Sequence, residues 1–319
     1  MSNKKRKTTI LFDKLVGEPV FNLLSKSKGK NKPAINKKKI KNILLIRPGG
    51  IGDFLLNIPA FKELKRKFPK SKIDILLFKR NEFCRQYYSN FNKITVIDKP
   101  KELAKFILSK KNYEVCIDFD QHRKIPSILC LLSKAPVKIG FKNNGKEKAY
   151  DFSVGYSNKK YEAKLFLDLL KPLHISKSLS ENNLILVRSG SKKKNSVGIY
   201  ASAMKEDNRL PIEKWKEIIN KVGKNKKYHF FGGSKDKERY DLIQNELRGF
   251  KIHRRDGKCN LMESLKEISK MENFISEDGG VYHMAVCSGV STISYWLHGE
   301  ENMDKWKAPF NKHRGILVK

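Results

Sequence analysis

The chain has 319 residues, long enough to bury a sizeable core and to divide into two domains. Its 68 Lys and Arg stand against 33 Asp and Glu, a net charge of +35 that must attract nucleic acid, an anionic membrane or a phosphorylated substrate, although a lysine-biased composition explains part of the excess. There is no apolar run near the ~18 residues of a membrane span, no signal-peptide core, and no CxxC pair among Cys84, Cys116, Cys130, Cys259 and Cys287. These features predict a cytoplasmic protein with free, mostly buried thiols and no zinc site or disulfide framework.

Residues 1–42 read as a basic extension. Lys4, Lys5, Arg6 and Lys7 open it and residues 26–41 are dense in lysine. Between them lie apolar pieces, residues 10–16 and 21–24, interrupted by Gly17 and Pro19. Such a segment can lie on an anionic bilayer on the inner face of the inner membrane, with lysines at the headgroups. The competing reading is a solvated tail whose few apolar residues pack on the first domain. A nucleic-acid arm ranks third, because aromatic and basic residues do not interleave.

The organising stretch is residues 43–65. Residues 43–46 are an apolar run of strand length. Arg47, Pro48, Gly49, Gly50 and Gly52 break it, and Phe54, Leu55, Ile58, Phe61 and Leu64 then recur at helical spacing. This predicts strand, glycine turn and one helix, with backbone N–H groups at the helix start suited to an anion. Asp53 at the junction is either a helix cap or a general base at the C-terminal end of a parallel strand; the turn by itself favours the cap. The spacing is not a dinucleotide fingerprint, since Leu55 stands where a third glycine would be.

Strand-like runs at residues 73–77, 94–97, 115–117 and 137–141 alternate with helical stretches at 102–109 and 125–132, which predicts a parallel doubly wound sheet. Asp118 and Asp120 end one strand; with His122 they invite a metal reading, but capping is the stronger one. Residues 161–173 are helical until Pro172 ends or bends them. The domain organisation expected is an extension at 1–42, a first α/β domain at 43–180 and a second at 181–319. The second repeats the alternation: strands at 197–200, 228–231 and 274–276, helices at 212–222, 235–247 and 261–268, a helix from about 280 through Cys287, and a last strand at 293–296. Lys205 and Arg209 follow one strand, and Asp278, Gly279, Gly280 and His283 follow another. Arginine grips phosphate at two points, glycine amides at a helix start can cradle a diphosphate, and Asp278 can hold sugar or ribose hydroxyls. By itself His283 reads more readily as a packed helix residue.

Taken together, these motifs resemble the heptosyltransferase family, glycosyltransferase family nine. The resemblance rests on Arg47 to Asp53 followed by Pro59-Ala60 and Phe68-Pro69, on Arg209-Leu210-Pro211 followed by Trp215, on Gly232-Gly233-Ser234 with Glu238, and on Asp278-x-Gly280-x-x-His283-x-Ala285, in order from about residue 43 to 298. The chain departs from the family pattern at Asn208, where a Lys is usual, and at Gly279, where Ser or Thr is usual. The resemblance implies a GT-B fold, two Rossmann-like domains facing a cleft, the first for the acceptor and the second for the nucleotide sugar. It also implies inverting, metal-independent transfer without a cofactor, with ADP-heptose as donor and a lipopolysaccharide core or related surface glycan as acceptor. Asp53 would then be the base, with Lys205, Arg209, Asp278, Gly279, Gly280 and His283 on the donor. The rival reading is a non-catalytic protein of the same fold that holds an anionic glycan, lipid or nucleic acid. A dinucleotide-dependent enzyme ranks below both.

Overall fold

The computed structural model describes residues 11, 13–26, 32–87, 89–109 and 112–318. Lys4, Lys5, Arg6 and Lys7, Ile10 and Phe12 of the leader, and residues 27–31 of the lysine run lie outside the described residues. The chain forms two compact units. The first comprises the described residues up to Ser157 together with Glu162–Leu179, and the second Asn158–Tyr161 together with the chain from Ser180.

The first unit is a six-stranded sheet of β1 (Asn42–Ile46), β2 (Lys72–Phe78), β3 (Lys93–Ile97), β4 (Val115–Asp118), β5 (Val137–Lys142) and β6 (Phe152–Gly155), ordered β3-β2-β1-β4-β5-β6. Every pairing is parallel. Its helices are α1 (Glu18–Lys26), α2 (Ile51–Leu56), α3 (Ile58–Lys67), α4 (Pro100–Ile107), α5 (Lys124–Leu132) and α6 (Glu162–Asp168). Side chains alternate along a strand, so β1 sends Leu44 and Ile46 into a core with Phe21, Cys116 and Leu129, while Ile43 and Leu45 are buried on the opposite face. A strand buried on both faces belongs at the centre of a doubly wound sheet, and β1 is there.

The second unit repeats the plan with β7 (Ser196–Tyr200), β8 (Lys227–Phe230), β9 (Lys251–Arg254), β10 (Asn273–Glu277), β11 (Ser291–Trp296) and β12 (His313–Leu317), ordered β12-β11-β10-β7-β8-β9 and again all parallel. Helices α7 (Glu181–Leu184), α8 (Ile212–Val222), α9 (Lys237–Asn245), α10 (Leu261–Ser269), α11 (Gly280–Cys287) and α12 (Gly299–Trp306) complete it. In each unit the strand order reverses direction beside the first strand, between β1 and β4 and between β7 and β10. The crevice at the C-terminal ends of such a pair is where open α/β sheets bind ligands. The α/β class and the two Rossmann-like units match the expectation from sequence.

Three expectations are corrected. The single helix after the glycine turn is two, broken at Asn57. Pro59 has no N–H to donate, and the Asn57 N–H turns to Phe54 O at 3.1 Å. The strand at 293–296 is not the last, because α12 and the edge strand β12 follow it. Residues 161–173 are also shorter as a helix: α6 stops at Asp168 and only a 3-10 turn, Lys171–Leu173, surrounds Pro172. Cys84, Cys116, Cys130 and Cys287 are buried thiols and Cys259 is half-buried. Among the described residues, no helix is long and apolar enough to cross a membrane.

Candidate functional site

In the first unit the turn after β1 is built around an arginine. Arg47 is fully buried, and its guanidinium donates to Phe119 O at 2.6 Å and Gln121 Oε1 at 3.3 Å, both just past the end of β4. The group also stacks on Phe166, 4.8 Å from the ring centre, and reaches Asp53 Oδ1 at 3.0 Å. Asp53 turns its other oxygen, Oδ2, to the Gly50 N–H at 2.8 Å. The capping reading therefore holds, and this N–H is already occupied by an internal carboxylate. The Asp53 side chain nevertheless remains 27% exposed, while Arg47 is at 0%. Gly49 is needed by close approach, since a Cβ there would stand 2.5 Å from Asp53 Cβ and 2.9 Å from the Arg47 guanidinium.

The acids at the end of β4 form a buried charge cluster. Lys146, fully buried, lies 3.2 Å from Asp118 Oδ2 and 3.7 Å from Asp120 Oδ1. Asp118 also accepts from Tyr150 at 2.6 Å. Asp120 takes the backbone N–H groups of His122 and Arg123 and pairs with the Arg123 guanidinium at 2.7 Å. Burial raises the Asp118 pKa, with Lys146 opposing it and Asp120 adding to it. Burial also pushes Asp120 up, but Arg123, Lys146 and Arg47 outweigh it and hold that carboxyl well below its usual range. The two acids thus cap and pair. His122 Nδ1 is elsewhere, 3.0 Å from Asn143. Among the described residues no group of three His, Cys, Asp or Glu side chains is placed to hold a metal.

In the second unit the loop after β7 and the start of α11 meet at the β7–β10 crevice. Glu277, the last residue of β10, is fully buried and fastens that loop. It accepts from Ala203 N at 2.7 Å, Leu210 N at 2.8 Å, Trp215 Nε1 at 2.9 Å and Arg239 at 3.2 Å. Burial raises its pKa against the pull of these donors. Arg209 is held by the same loop, its Nε donating to Ala203 O at 2.8 Å. Asn208 is buried and donates to Asp278 Oδ2 at 2.9 Å, while its own Oδ1 has no hydrogen-bond partner. Burial raises the Asp278 pKa, and Lys205, Asn302, His298 and Asn208 oppose it. Asn208 is thus the hydrogen-bonded neighbour of the 278 carboxylate, and Lys205 and His298 act on it through their charge.

Gly279 caps α11 in an extended conformation, and Gly280 opens the helix. The N–H groups of its first turn have no acceptor within the helix. A Cβ on Gly279 would come within 3.2 Å of Tyr200 Cε1, so a side chain there would press on the Tyr200 ring. Burial raises the Tyr200 pKa, with Asp236 and Glu277 adding to it and Arg209 opposing. His283, one turn into α11, is buried with its ring edge-on to Tyr282 at 5.1 Å and to Trp306 at 6.0 Å.

The structure thus brings Lys205, Arg209, Asp278, Gly279 and Gly280 to one crevice, with His283 packed one turn behind. It puts Asp53 at the equivalent crevice of the first unit. Sequence reasoning missed Arg47 as the holder of Asp53, and Glu277 and Tyr200 as the framework of the second crevice. An acid at the end of an apolar strand, directly before Asp278, was the available signal for Glu277.

The family model for glycosyltransferase family 9 (heptosyltransferase) matches residues 103–319, which include the whole β7–β10 crevice; Asp53 precedes them. No curated protein sequence gives a significant match. Among solved structures, a glycosyl transferase family 9 protein from Veillonella parvula aligns with a TM-score of 0.68 at 18% identity, over 87% of this chain and 85% of that one. The E. coli heptosyltransferase WaaC with ADP aligns with a TM-score of 0.70 at 14% identity, over 87% and 93%. The E. coli ADP-heptose lipopolysaccharide heptosyltransferase II gives 0.65 at 14%, over 87% and 90%. At these identities the likeness is one of fold, the GT-B glycosyltransferase type.

Proposed function

Because the chain belongs to glycosyltransferase family 9 (heptosyltransferase), we propose that it moves a heptose from ADP-heptose to a lipopolysaccharide core or related surface glycan, with inversion at the anomeric carbon. The observation that carries this reading is the β7–β10 crevice, where Asn208 bonds Asp278, within the electrostatic reach of Lys205, beside the start of α11, which no side chain caps. Cations and helix-start amides suit a diphosphate. The part-buried Asp278–Asn208 pair suits the hydroxyls of a ribose or sugar.

In this scheme Asp53 takes the proton of the acceptor hydroxyl as its oxygen attacks the anomeric carbon. The bond from that carbon to the diphosphate oxygen breaks, and the electron pair leaves with ADP. Lys205, Arg209 and the Gly279 and Gly280 amides meet the charge that grows on the diphosphate, so the stabilisation comes from the protein rather than from a metal ion. His283 supports the crevice from behind. Arg47 holds the Asp53 carboxylate in one orientation through the 3.0 Å ion pair. Asn208 stands where the family usually has a lysine, and the positive charge beside Asp278 is supplied by Lys205 instead. The presence of ADP in the WaaC structure supports the choice of nucleotide.

The test is a thermal-shift panel of ADP, UDP, GDP, CMP and NAD at moderate salt, since a ligand that binds only the folded state raises the melting temperature. ADP is expected to shift it selectively, and Lys205→Ala to remove most of the shift. A selective response to UDP or GDP would overturn the donor assignment. No response to any nucleotide would favour a non-catalytic binding protein.

A further inference from the structure

The N-terminal segment has two unlike sides. One side is fastened to the first unit. Phe21 is fully buried among residues that include Leu129, and the Lys124 ammonium lies 4.5 Å from its ring centre. The Asp13 carboxylate accepts the backbone N–H groups of Lys124 and Ile125 at 2.9 and 3.0 Å, capping the start of α5. Gly17 lies so near α5 that a Cβ there would be 3.3 Å from Ile125 Cγ1.

The opposite side is apolar and open. Leu11, Leu15, Val16, Val20 and Leu23 are 54%, 64%, 44%, 40% and 71% exposed. The other large apolar side chains exposed to this degree among the described residues, Leu108, Met204, Leu242 and Leu317, are scattered along the chain. Isolated exposed apolar residues need no explanation, but a cluster of five within thirteen residues does. Because Phe21 and Asp13 fix the segment from behind, these five cannot turn inward without undoing both contacts.

The surrounding charge identifies what covers them. Residues 1–42 carry thirteen Lys and Arg against two acids, Asp13 and Glu18, and Asp13 is occupied as the cap of α5. Lys14, Lys26, Lys32, Lys37, Lys38 and Lys39 are all exposed. An apolar face bordered by lysines is the composition of a helix that lies in a membrane interface. Two copies of this chain meeting through the same face would bring two strongly cationic segments together, which opposes self-association.

We propose that Leu11 and residues 13–26 form an in-plane docking element that seats the first unit on an anionic lipid bilayer. Leu15, Val20 and Leu23 enter the boundary between headgroups and acyl chains, and the flanking lysines meet the lipid phosphates. This proposal stands on the N-terminal surface and is independent of the reaction assigned above.

The test is co-sedimentation of the full chain with vesicles of 30% phosphatidylglycerol in phosphatidylcholine, and with phosphatidylcholine alone, at 0.1 and 0.5 M salt. Binding to the anionic vesicles is expected at 0.1 M, with part of it surviving at 0.5 M. The double substitution Leu15→Ser and Leu23→Ser should weaken it at least tenfold with the melting temperature unchanged. Substituting Lys37, Lys38 and Lys39 by Ser should weaken low-salt binding and remove the preference for anionic lipid. Failure of the parent chain to bind anionic vesicles would overturn the proposal. Undiminished binding by the leucine variant would also overturn it, leaving only diffuse charge. A dimer in sedimentation velocity that the leucine variant abolishes, without vesicle binding, would assign the face to a second copy instead.

Discussion

Replacing Glu277 with Gln tests whether one buried carboxylate organises the β7–β10 crevice. Its Oε1 accepts from Leu210, Trp215 and Arg239, and its Oε2 from Ala203. A glutamine keeps one acceptor oxygen for the three donors but turns an NH2 toward the Ala203 N–H. One buried donor then lacks a partner, at about 2 kcal/mol. The lost charge is partly offset, because burial already holds the Glu277 pKa above its ordinary value. About 2 kcal/mol in a unit of this size is about 4–8 °C in melting temperature. Glu277→Ala orphans all four donors and should cost more, on the order of 3–5 kcal/mol. Since Ala203 and Leu210 bracket Lys205 to Arg209, Glu277→Gln should also loosen the loop and weaken nucleotide affinity severalfold. Differential scanning calorimetry and a nucleotide titration read both effects. Melting temperatures of both variants within 1 °C of the parent would refute the reasoning, and so would an Ala variant more stable than Gln.

Two further outcomes follow from single contacts. Gly279→Ser should destabilise by about 1 kcal/mol, because its Cβ meets Tyr200 Cε1 at 3.2 Å, and the cost should vanish in a Tyr200→Ala background; a double-mutant cycle measures this. His313 is buried, and burial with Lys312 and Lys307 lowers its pKa to about 3. Because that value lies below the unfolded one, the unfolded state binds more protons. The contribution is complete above about pH 6.5 and is lost as pH falls toward 3; the loss at pH 5 is at most about 2 kcal/mol, because Glu181 Oε1, 3.2 Å from Nε2, favours the protonated ring and reduces it. Urea melts at pH 7 and pH 5 should show that loss shrink in His313→Gln.

The sequence made the centre of each unit legible, for a physical reason. Residues 43–46 and 197–200 lie on central strands buried on both faces, and the apolar run survives in the chain as written. Strands β6, β9 and β12 are hidden because none presents a continuous apolar run: Ser153 and Gly155 alternate with the apolar residues of β6, Lys251, His253 and Arg254 make up most of β9, and β12 opens on His313, Arg314 and Gly315. The helix break at Asn57 was readable from Pro59, but the apolar spacing runs across it and hid it. At the sites, Asp53, Lys205, Arg209 and Asp278 could be named from local pattern. The networks that surround these positions could not, because they reach across the chain. Arg47 reaches Gln121, Lys146 reaches back to Asp118, and Glu277 binds Ala203, 74 residues earlier. Such pairings exist only once the sheet has brought β1 beside β4 and β7 beside β10.

The most direct test of the account is ADP release from ADP-heptose by the purified chain with a lipopolysaccharide-core acceptor, measured beside Asp53→Asn. Asn keeps the size of the side chain, and the melting temperature serves as the control for folding. The account predicts acceptor-dependent ADP release by the parent chain, and a loss of about 10²-fold or more in the variant while ADP still binds. Turnover in Asp53→Asn equal to the parent would contradict the assignment of the base. No ADP release by the parent chain, with anionic glycan bound in a salt-dependent manner, would contradict the transferase reading of these residues.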